Sequence, residues 1–99
     1  MTWCGVGPPG DPGPMSVVVR GESLLLVFGD GRWWAIEDRC SHASCAFTDD
    51  GEVDGLVAVC NCHGSEFDVR SGEPLMTPAT EPIRTFPVRL TGGILEVEM

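Results

Sequence analysis

Basic residues are scarce in this sequence: six Lys and Arg stand against fifteen Asp and Glu, which gives a formal net charge of -9. Proteins that grip nucleic acid through its phosphates carry a basic surface, so this balance excludes that class of partner. No run of about 18 apolar residues occurs, and we expect no membrane-spanning helix. The N-terminal residues lack the basic and apolar stretches of an export signal, so we expect a cytoplasmic protein.

Sustained helical periodicity is also missing. Short apolar or alternating runs are instead separated by Gly-rich turns, a pattern that is typical of strands. The expected strands are 3–6, 15–20, 23–28, 33–36, 56–59, 66–69, 84–90 and 94–99. Residues 21–22, with glycine first, predict a type II′ turn between two of them. The adjacent Trp33 and Trp34 should face opposite sides of their strand.

The length of 99 residues is that of one domain. We therefore predict a single all-β domain over residues 1–99, built as an antiparallel β-sandwich or barrel frame. Residues from about 38 to 73 are rich in Gly, Cys and acids but poor in apolar periodicity. They are expected to form a small inserted lobe.

Four of the five cysteines and both histidines lie in two short segments. The first is Cys40-Ser41-His42-Ala43-Ser44-Cys45, and the second is Cys60-Asn61-Cys62-His63-Gly64-Ser65. In a chain without an export signal, C-x-H followed by C-x-x-H favours metal binding over a disulfide scaffold. Two Cys and two His form either a closed tetrahedral zinc site or the ligand set of a Rieske 2Fe–2S centre. Zinc fingers usually present like ligands in pairs, whereas here each segment supplies one Cys and one His.

These two segments resemble the ligand boxes of the Rieske family of iron–sulfur proteins, and the resemblance extends over residues 15–98. It implies a Rieske-like fold with one 2Fe–2S cluster per chain. Cys40 and Cys60 would bind one iron, and His42 and His63 the other. Ser65 would donate a hydrogen bond to a cluster sulfide. Two thiolates and two neutral imidazoles leave the oxidised centre uncharged, so it accepts an electron more readily than a four-thiolate centre does.

The resemblance also assigns a role to the remaining cysteines of the two segments. In the Rieske proteins of respiratory cytochrome bc complexes, cysteines at the positions of Cys45 and Cys62 form a disulfide, which dioxygenase-type ferredoxins generally lack. We expect that disulfide here. Phe67 lies where high-potential members carry a tyrosine, so we expect a lower potential than theirs. Pro78 and Pro82 should shape a rigid loop over the cluster.

The chain shows no flavin or nicotinamide motif and no substrate site of its own, so we expect an electron-transfer component and not an enzyme. The resemblance implies a monomeric one-electron carrier that passes electrons from a flavin-dependent reductase to a terminal oxygenase. The alternatives are a detached Rieske subunit of a respiratory or other multi-subunit oxidoreductase, and a structural zinc or redox-sensing module. Residues 37–73 carry nine acids and two arginines, -7 of the total charge. This acidity either keeps the domain dissolved or steers it toward a basic partner.

Overall fold

The computed structural model describes residues 2–10, 14–41, 45–62, 64–77 and 79–99. This part of the chain is almost entirely β-structure, which confirms the all-β prediction. Its strands are β1 (Trp3–Gly7), β2 (Met15–Val19), β3 (Glu22–Gly29), β4 (Arg32–Glu37), β5 (Gly51–Asp54), β6 (Val57–Cys60), β7 (Ser65–Asp68), β8 (Pro74–Met76), β9 (Thr85–Phe86), β10 (Val88–Thr91) and β11 (Ile94–Glu98). One short helix, α1 (Phe47–Asp50), precedes β5. Within the described ranges, no helix is both long enough and apolar enough to cross a membrane.

The strands form three antiparallel sheets. Two of them, ordered β1-β11-β10 and β2-β3-β4-β9, make up the part of the molecule that we call the frame. The third, ordered β5-β6-β7-β8, lies between β4 and β9 in the chain, and we call it the lobe sheet. Each neighbouring pair within the three sheets is antiparallel. The architecture is therefore a frame with an inserted sheet.

The middle of strand β3, Leu24 to Val27, is apolar because both of its faces are buried there. Successive side chains of a strand point to opposite faces. Leu24 and Leu26 lie in the frame core (Val19, Leu24, Leu26, Ala35, Leu95 and Val97). Leu25 and Val27 lie in the cysteine-side core (Leu25, Val27, Ile36, Cys40, Phe47, Ala58, Cys60, Phe67, Val69, Ala79 and Ile83). The two tryptophans of β4 divide as expected, with Trp33 against the frame core and Trp34 against the cysteine-side core.

The first hairpin turn differs from the sequence prediction by one residue. Val19 pairs with Glu22, so the turn residues are Arg20 and Gly21, with φ of 52° and 79°. Positive φ at both positions is the type I′ pattern, and not the predicted type II′ turn at residues 21–22. This turn type matches the right-handed twist of the flanking strands, which accounts for an arginine in the left-handed region.

The strand predicted over 84–90 is broken at Pro87. Proline has no N–H to donate to a sheet, so it interrupts strand pairing. Before it, β9 pairs with β4; after it, β10 pairs with β11. The break therefore moves the chain from one frame sheet to the other. Helix α1 was not predicted, because a four-residue helix is too short for a helical period to show. Strand β5 was not predicted either.

Candidate metal centre

Two strands deliver the two cysteines that were predicted as iron ligands. Cys60 is the last residue of β6, and Cys40 follows the end of β4 by three residues. Both side chains are 1% exposed and belong to the cysteine-side core, together with Ala58 and Phe67. Neither is in a disulfide. Strands from the frame and from the lobe sheet thus bring two thiols into one apolar interior.

The second ligand segment is a tight loop between β6 and β7. Cys60 pairs with Ser65 across the two strands, and the Gly64 N–H donates to the Cys60 carbonyl at 2.8 Å. Gly64 has a φ of 78°, a conformation that favours glycine. In the first segment, the Cys40 N–H donates to the Cys45 carbonyl at 2.9 Å. Both segments are therefore closed by their own backbone hydrogen bonds.

A disulfide joins the two segments. Cys45 and Cys62 are bonded, with their Cα atoms 6.7 Å apart and a sequence separation of 17. Their sulfurs and the Cys60 Sγ all lie within 4.8 Å of one another. A disulfide sulfur is not a thiolate, so these three cysteines do not make a zinc site of thiolates. The disulfide leaves Cys60 as the thiol of this group.

The histidine half of the predicted site lies outside the described residues. His42, with its neighbours 43 and 44, and His63 are not among them, nor is Pro78. The structure therefore brings together Cys40, Cys60 and the residues around them, and the imidazole ligands stay a prediction.

Ser65 is fully buried beside Cys60. Its exposure is 0%, and its Oγ accepts a hydrogen bond from the Ala79 N–H at 3.2 Å. A hydroxyl that accepts in this way still has its own hydrogen to donate. That hydrogen is the donor that the resemblance to Rieske proteins assigns to a cluster sulfide.

Asp38 is a buried carboxylate that sequence reasoning missed. It is 6% exposed and lies two residues before Cys40. One carboxylate oxygen accepts from the Thr48 N–H at 3.0 Å, and the other accepts from the Thr48 hydroxyl. Burial raises the pKa of Asp38, and hydrogen bonds from Thr48 and Phe47 partly offset this effect. Asp38 therefore fixes the start of α1 against the first ligand segment. Its partners are ten residues away, so no local pattern marks it.

Ser41 is a second residue that the sequence did not single out. Its hydroxyl donates to the Glu81 carbonyl at 2.6 Å, which ties the first ligand segment to the chain after Pro78. The sequence shows that Ser41 is the middle residue of C-x-H. It does not show that the hydrogen-bond partner of Ser41 lies forty residues away.

The described residues fit a metal centre with thiolate ligands. Two thiols that are not in a disulfide share an apolar core, and a buried hydroxyl with a free hydrogen lies beside one of them. Thiolate sulfur is the ligand that iron–sulfur clusters prefer. The surrounding Phe67, Phe47 and Ala58 exclude water, and Phe67 meets Phe47 edge to face at 5.8 Å between ring centroids.

Comparison with known proteins agrees with this fit. The chain is 33% identical over 79 residues to the p-cumate 2,3-dioxygenase system, ferredoxin component, of Pseudomonas putida, covering 80% of this chain and 67% of the relative. It is 31% identical over 94 residues to the 3-phenylpropionate/cinnamic acid dioxygenase ferredoxin subunit of Escherichia coli K12, with 87% and 89% covered.

Solved structures show the same fold. The ferredoxin of carbazole 1,9a-dioxygenase from Nocardioides aromaticivorans IC177 superposes with a TM-score of 0.86 at 28% identity, covering 98% of this chain and 97% of its own. A chain from a complex of reduced oxygenase and oxidised ferredoxin in carbazole 1,9a-dioxygenase gives 0.85 at 29% identity, with 96% and 91% covered. The sequence profile of the Rieske [2Fe-2S] domain matches residues 6–87. This chain belongs to the Rieske 2Fe–2S domain family, and its ferredoxin relatives make it an electron carrier that holds a Rieske cluster and is not itself a catalyst.

Proposed function

We propose that this chain is the ferredoxin component of a ring-hydroxylating dioxygenase system. It takes single electrons from a flavin-dependent reductase and passes them to a terminal oxygenase. The observation that carries the proposal is the pair of buried thiols, Cys40 and Cys60, in one core. The dioxygenase ferredoxins named above support the choice of system. We also propose that the protein is a monomer and is located in the cytoplasm.

The ligand set is part of the proposal. Cys40 and Cys60 hold one iron, His42 and His63 hold the other, and Ser65 donates to a cluster sulfur. When bound, the cluster supplies one-electron chemistry in the range of about -150 to +300 mV. The chain's own residues bury the thiolates, keep the interior dry and join the two ligand segments through Cys45 and Cys62.

Charge on the lobe supports a basic partner. Asp49, Asp50 and Asn61 line a surface hollow of about 320 Å³ that reaches Cys62 of the second ligand segment. Both aspartates are exposed, and the segment 37–73 holds -7 of the chain's charge. A negative surface beside the ligand segments would raise the encounter rate with a positively charged partner face.

Reconstitution tests the proposal directly. The apoprotein is loaded with iron and sulfide, and visible absorption and the electron paramagnetic resonance of the reduced protein are recorded. Wild type and Cys4→Ser should show a Rieske-type centre, because Cys4 lies on β1 in the frame. Cys60→Ser should lose it. Wild-type spectra without a cluster would refute the proposal. So would a reduced protein that is not oxidised by the terminal oxygenase of a dioxygenase system.

The disulfide favours a second candidate, a Rieske subunit of another multi-subunit oxidoreductase. Cysteines at these two positions form a disulfide in the respiratory proteins of the family, and the structure has one between Cys45 and Cys62. Electron transfer to the two kinds of acceptor separates the candidates. Rapid oxidation by a terminal oxygenase and slow oxidation by a c-type cytochrome would support the ferredoxin, and the reverse order would support the subunit.

A further inference from the structure

The segment from residue 79 to 84 lacks strand structure, yet it is partly buried. Ala79 and Ile83 are 4% and 3% exposed and belong to the same core as Cys40 and Cys60. A buried segment outside a sheet needs other partners for its backbone groups. Here those partners come from both ligand segments, from Gly72 and from Glu37.

The far end of this segment is fixed by the lobe and the frame. The Ile83 N–H donates to the Gly72 carbonyl at 2.9 Å. The Arg84 N–H donates to the Glu37 carboxylate at 3.1 Å, and the Glu37 N–H donates to the Arg84 carbonyl at 3.0 Å. These contacts anchor residues 83–84 independently of the ligand segments.

The near end is fixed by two serine hydroxyls, one from each ligand segment. Ser65 accepts from the Ala79 N–H at 3.2 Å, and Ser41 donates to the Glu81 carbonyl at 2.6 Å. Ala79 is buried, whereas Ser41 and Glu81 are exposed. The solvent-facing bond of Ser41 therefore closes a segment whose buried end contacts Ser65.

We propose that Ser41 is a positioning residue for the redox centre: by holding the Glu81 carbonyl, it keeps the Ala79 N–H on the oxygen of Ser65. The inference rests on the proposed function, because it concerns the cluster that Ser65 would contact. Ser41 acts through the segment and through Ser65, without a bond of its own to the cluster.

The expected effect follows from coupled hydrogen bonds. A hydroxyl that accepts a hydrogen bond becomes a better donor, because bonds in a chain polarise one another. The Ala79 N–H thus strengthens the donation of Ser65 to a cluster sulfur. Such donation stabilises the reduced, more negative centre. Loosening the segment weakens this donation and lowers the reduction potential.

The test compares Ser41→Ala with Ser41→Thr, which keeps a hydroxyl at an exposed position. Ser16→Ala, at an exposed serine of β2 in the frame, is the matched control. The reduction potential is measured by voltammetry at fixed pH, and cluster loss is followed by visible absorbance with an iron chelator. We expect Ser41→Ala to have a lower potential and about fivefold faster cluster loss, as the loss of one hydrogen bond would give. Ser41→Thr and Ser16→Ala should match wild type.

An unchanged potential in Ser41→Ala would overturn the inference even if the cluster were lost faster, since faster loss alone reports only a structural role. A Ser41→Thr variant as impaired as Ser41→Ala would also overturn it. Failure of the wild type to take up a cluster would instead refute the proposed function. In that case hydrogen exchange in the apoprotein decides: Ser41→Ala should speed exchange in a peptide covering 79–84, and equal exchange would refute the role of Ser41.

Discussion

At the scale of single residues, Phe67 is the position at which a substitution should most affect the reduction potential. Its side chain is fully buried and shares a core with Cys40 and Cys60. It provides packing but has no hydrogen to donate. The chain contains no tyrosine at any position.

Phe67→Tyr should raise the reduction potential. A tyrosine hydroxyl at this site would donate to a ligand sulfur and stabilise the reduced centre more than the oxidised one. A differential hydrogen bond of roughly 1 kcal/mol corresponds to about 40 mV for one electron. Voltammetry of the reconstituted variant measures this shift. Phe28→Tyr, at a half-exposed residue of the frame, should leave the potential unchanged; a Phe67→Tyr potential at or below wild type would contradict the argument.

Asp68 gives a pH-dependent stability. The guanidinium and the backbone N–H of Arg70 both donate to this carboxylate, which lowers the pKa of Asp68. A carboxyl whose folded pKa lies below its unfolded value stabilises the fold above the unfolded pKa, about 3.9. That contribution is lost as the pH falls through the folded pKa.

Asp68→Asn should therefore be less stable than wild type at pH 7, by up to about 1 kcal/mol, because Arg70 is half exposed. The difference should shrink below about pH 4, as the wild-type carboxyl gains its proton. Urea unfolding at several pH values measures it. In an Arg70→Ala background, Asp68→Asn should lower the free energy of unfolding by less than it does in the wild type. A gap that is constant from pH 7 to pH 3 would argue against a titrating carboxylate.

At the scale of secondary structure elements, a glycine that faces neighbouring backbone matters more than one at an open turn. Gly72 has a φ of 80°, and a Cβ placed there would lie 2.1 Å from the Ile83 carbonyl oxygen. This close approach lets the turn after β7 pair with the segment that returns to the frame. Gly31 also has a positive φ, 75°, but a Cβ there would meet nothing within 4 Å.

Gly72→Ala should destabilise the fold more than Gly31→Ala. Both substitutions place a Cβ at positive φ, which costs about 1–2 kcal/mol, but only Gly72→Ala adds a clash with backbone. Thermal unfolding of both variants provides the comparison. Equal losses would show that φ alone, and not the contact with Ile83, limits residue 72.

The sequence allowed most of the frame to be predicted because its strands carry apolar periodicity of their own. The strands that contain Val17 to Val19, Leu24 to Val27 and Trp33 to Ile36 were all expected. What failed depended on pairing: the turn at Arg20 is set by the register of Val19 with Glu22, and β5 exists because Gly51–Asp54 pairs with β6. Register is a property of two strands, so neither one alone reveals it.

The site divides in the same way. Cys40 and Cys60 were found because metal chemistry imposes residue types at fixed spacings. Asp38 and Ser41 were missed because they act through partners ten and forty residues away. A single sequence contains no local signal for contacts of that kind.

At the scale of the whole molecule, charge is divided unevenly along the chain. Residues 37–73 carry -7, and the remainder carries -2. All six basic residues are arginine, so the chain has no lysine amine. This makes carbodiimide cross-linking of its carboxylates informative, since side-chain amines must come from the partner.

Electron transfer to a basic partner should slow as salt is added. Screening of exposed charges strengthens as the Debye length falls from about 10 Å at 0.1 M to about 3 Å at 1 M. Stopped-flow rates with the oxygenase measure this dependence. An Asp49→Asn and Asp50→Asn double variant should be slower at low salt and closer to wild type at high salt, whereas Glu98→Gln in the frame should behave as wild type. Rates independent of salt would show that the acidic segment plays no part in docking.

The sharing of β3 between two cores has a consequence for modularity. An inserted sheet invites the idea that residues 38–76 form a transplantable cassette that could be moved to another frame. Yet Leu25, Val27 and Ile36, which complete the core around the cysteines, all belong to the frame strands. A fragment of 38–76 would leave those side chains behind and expose its own apolar face. We therefore expect residues 38–76 not to fold apart from the frame strands that carry Leu25, Val27 and Ile36.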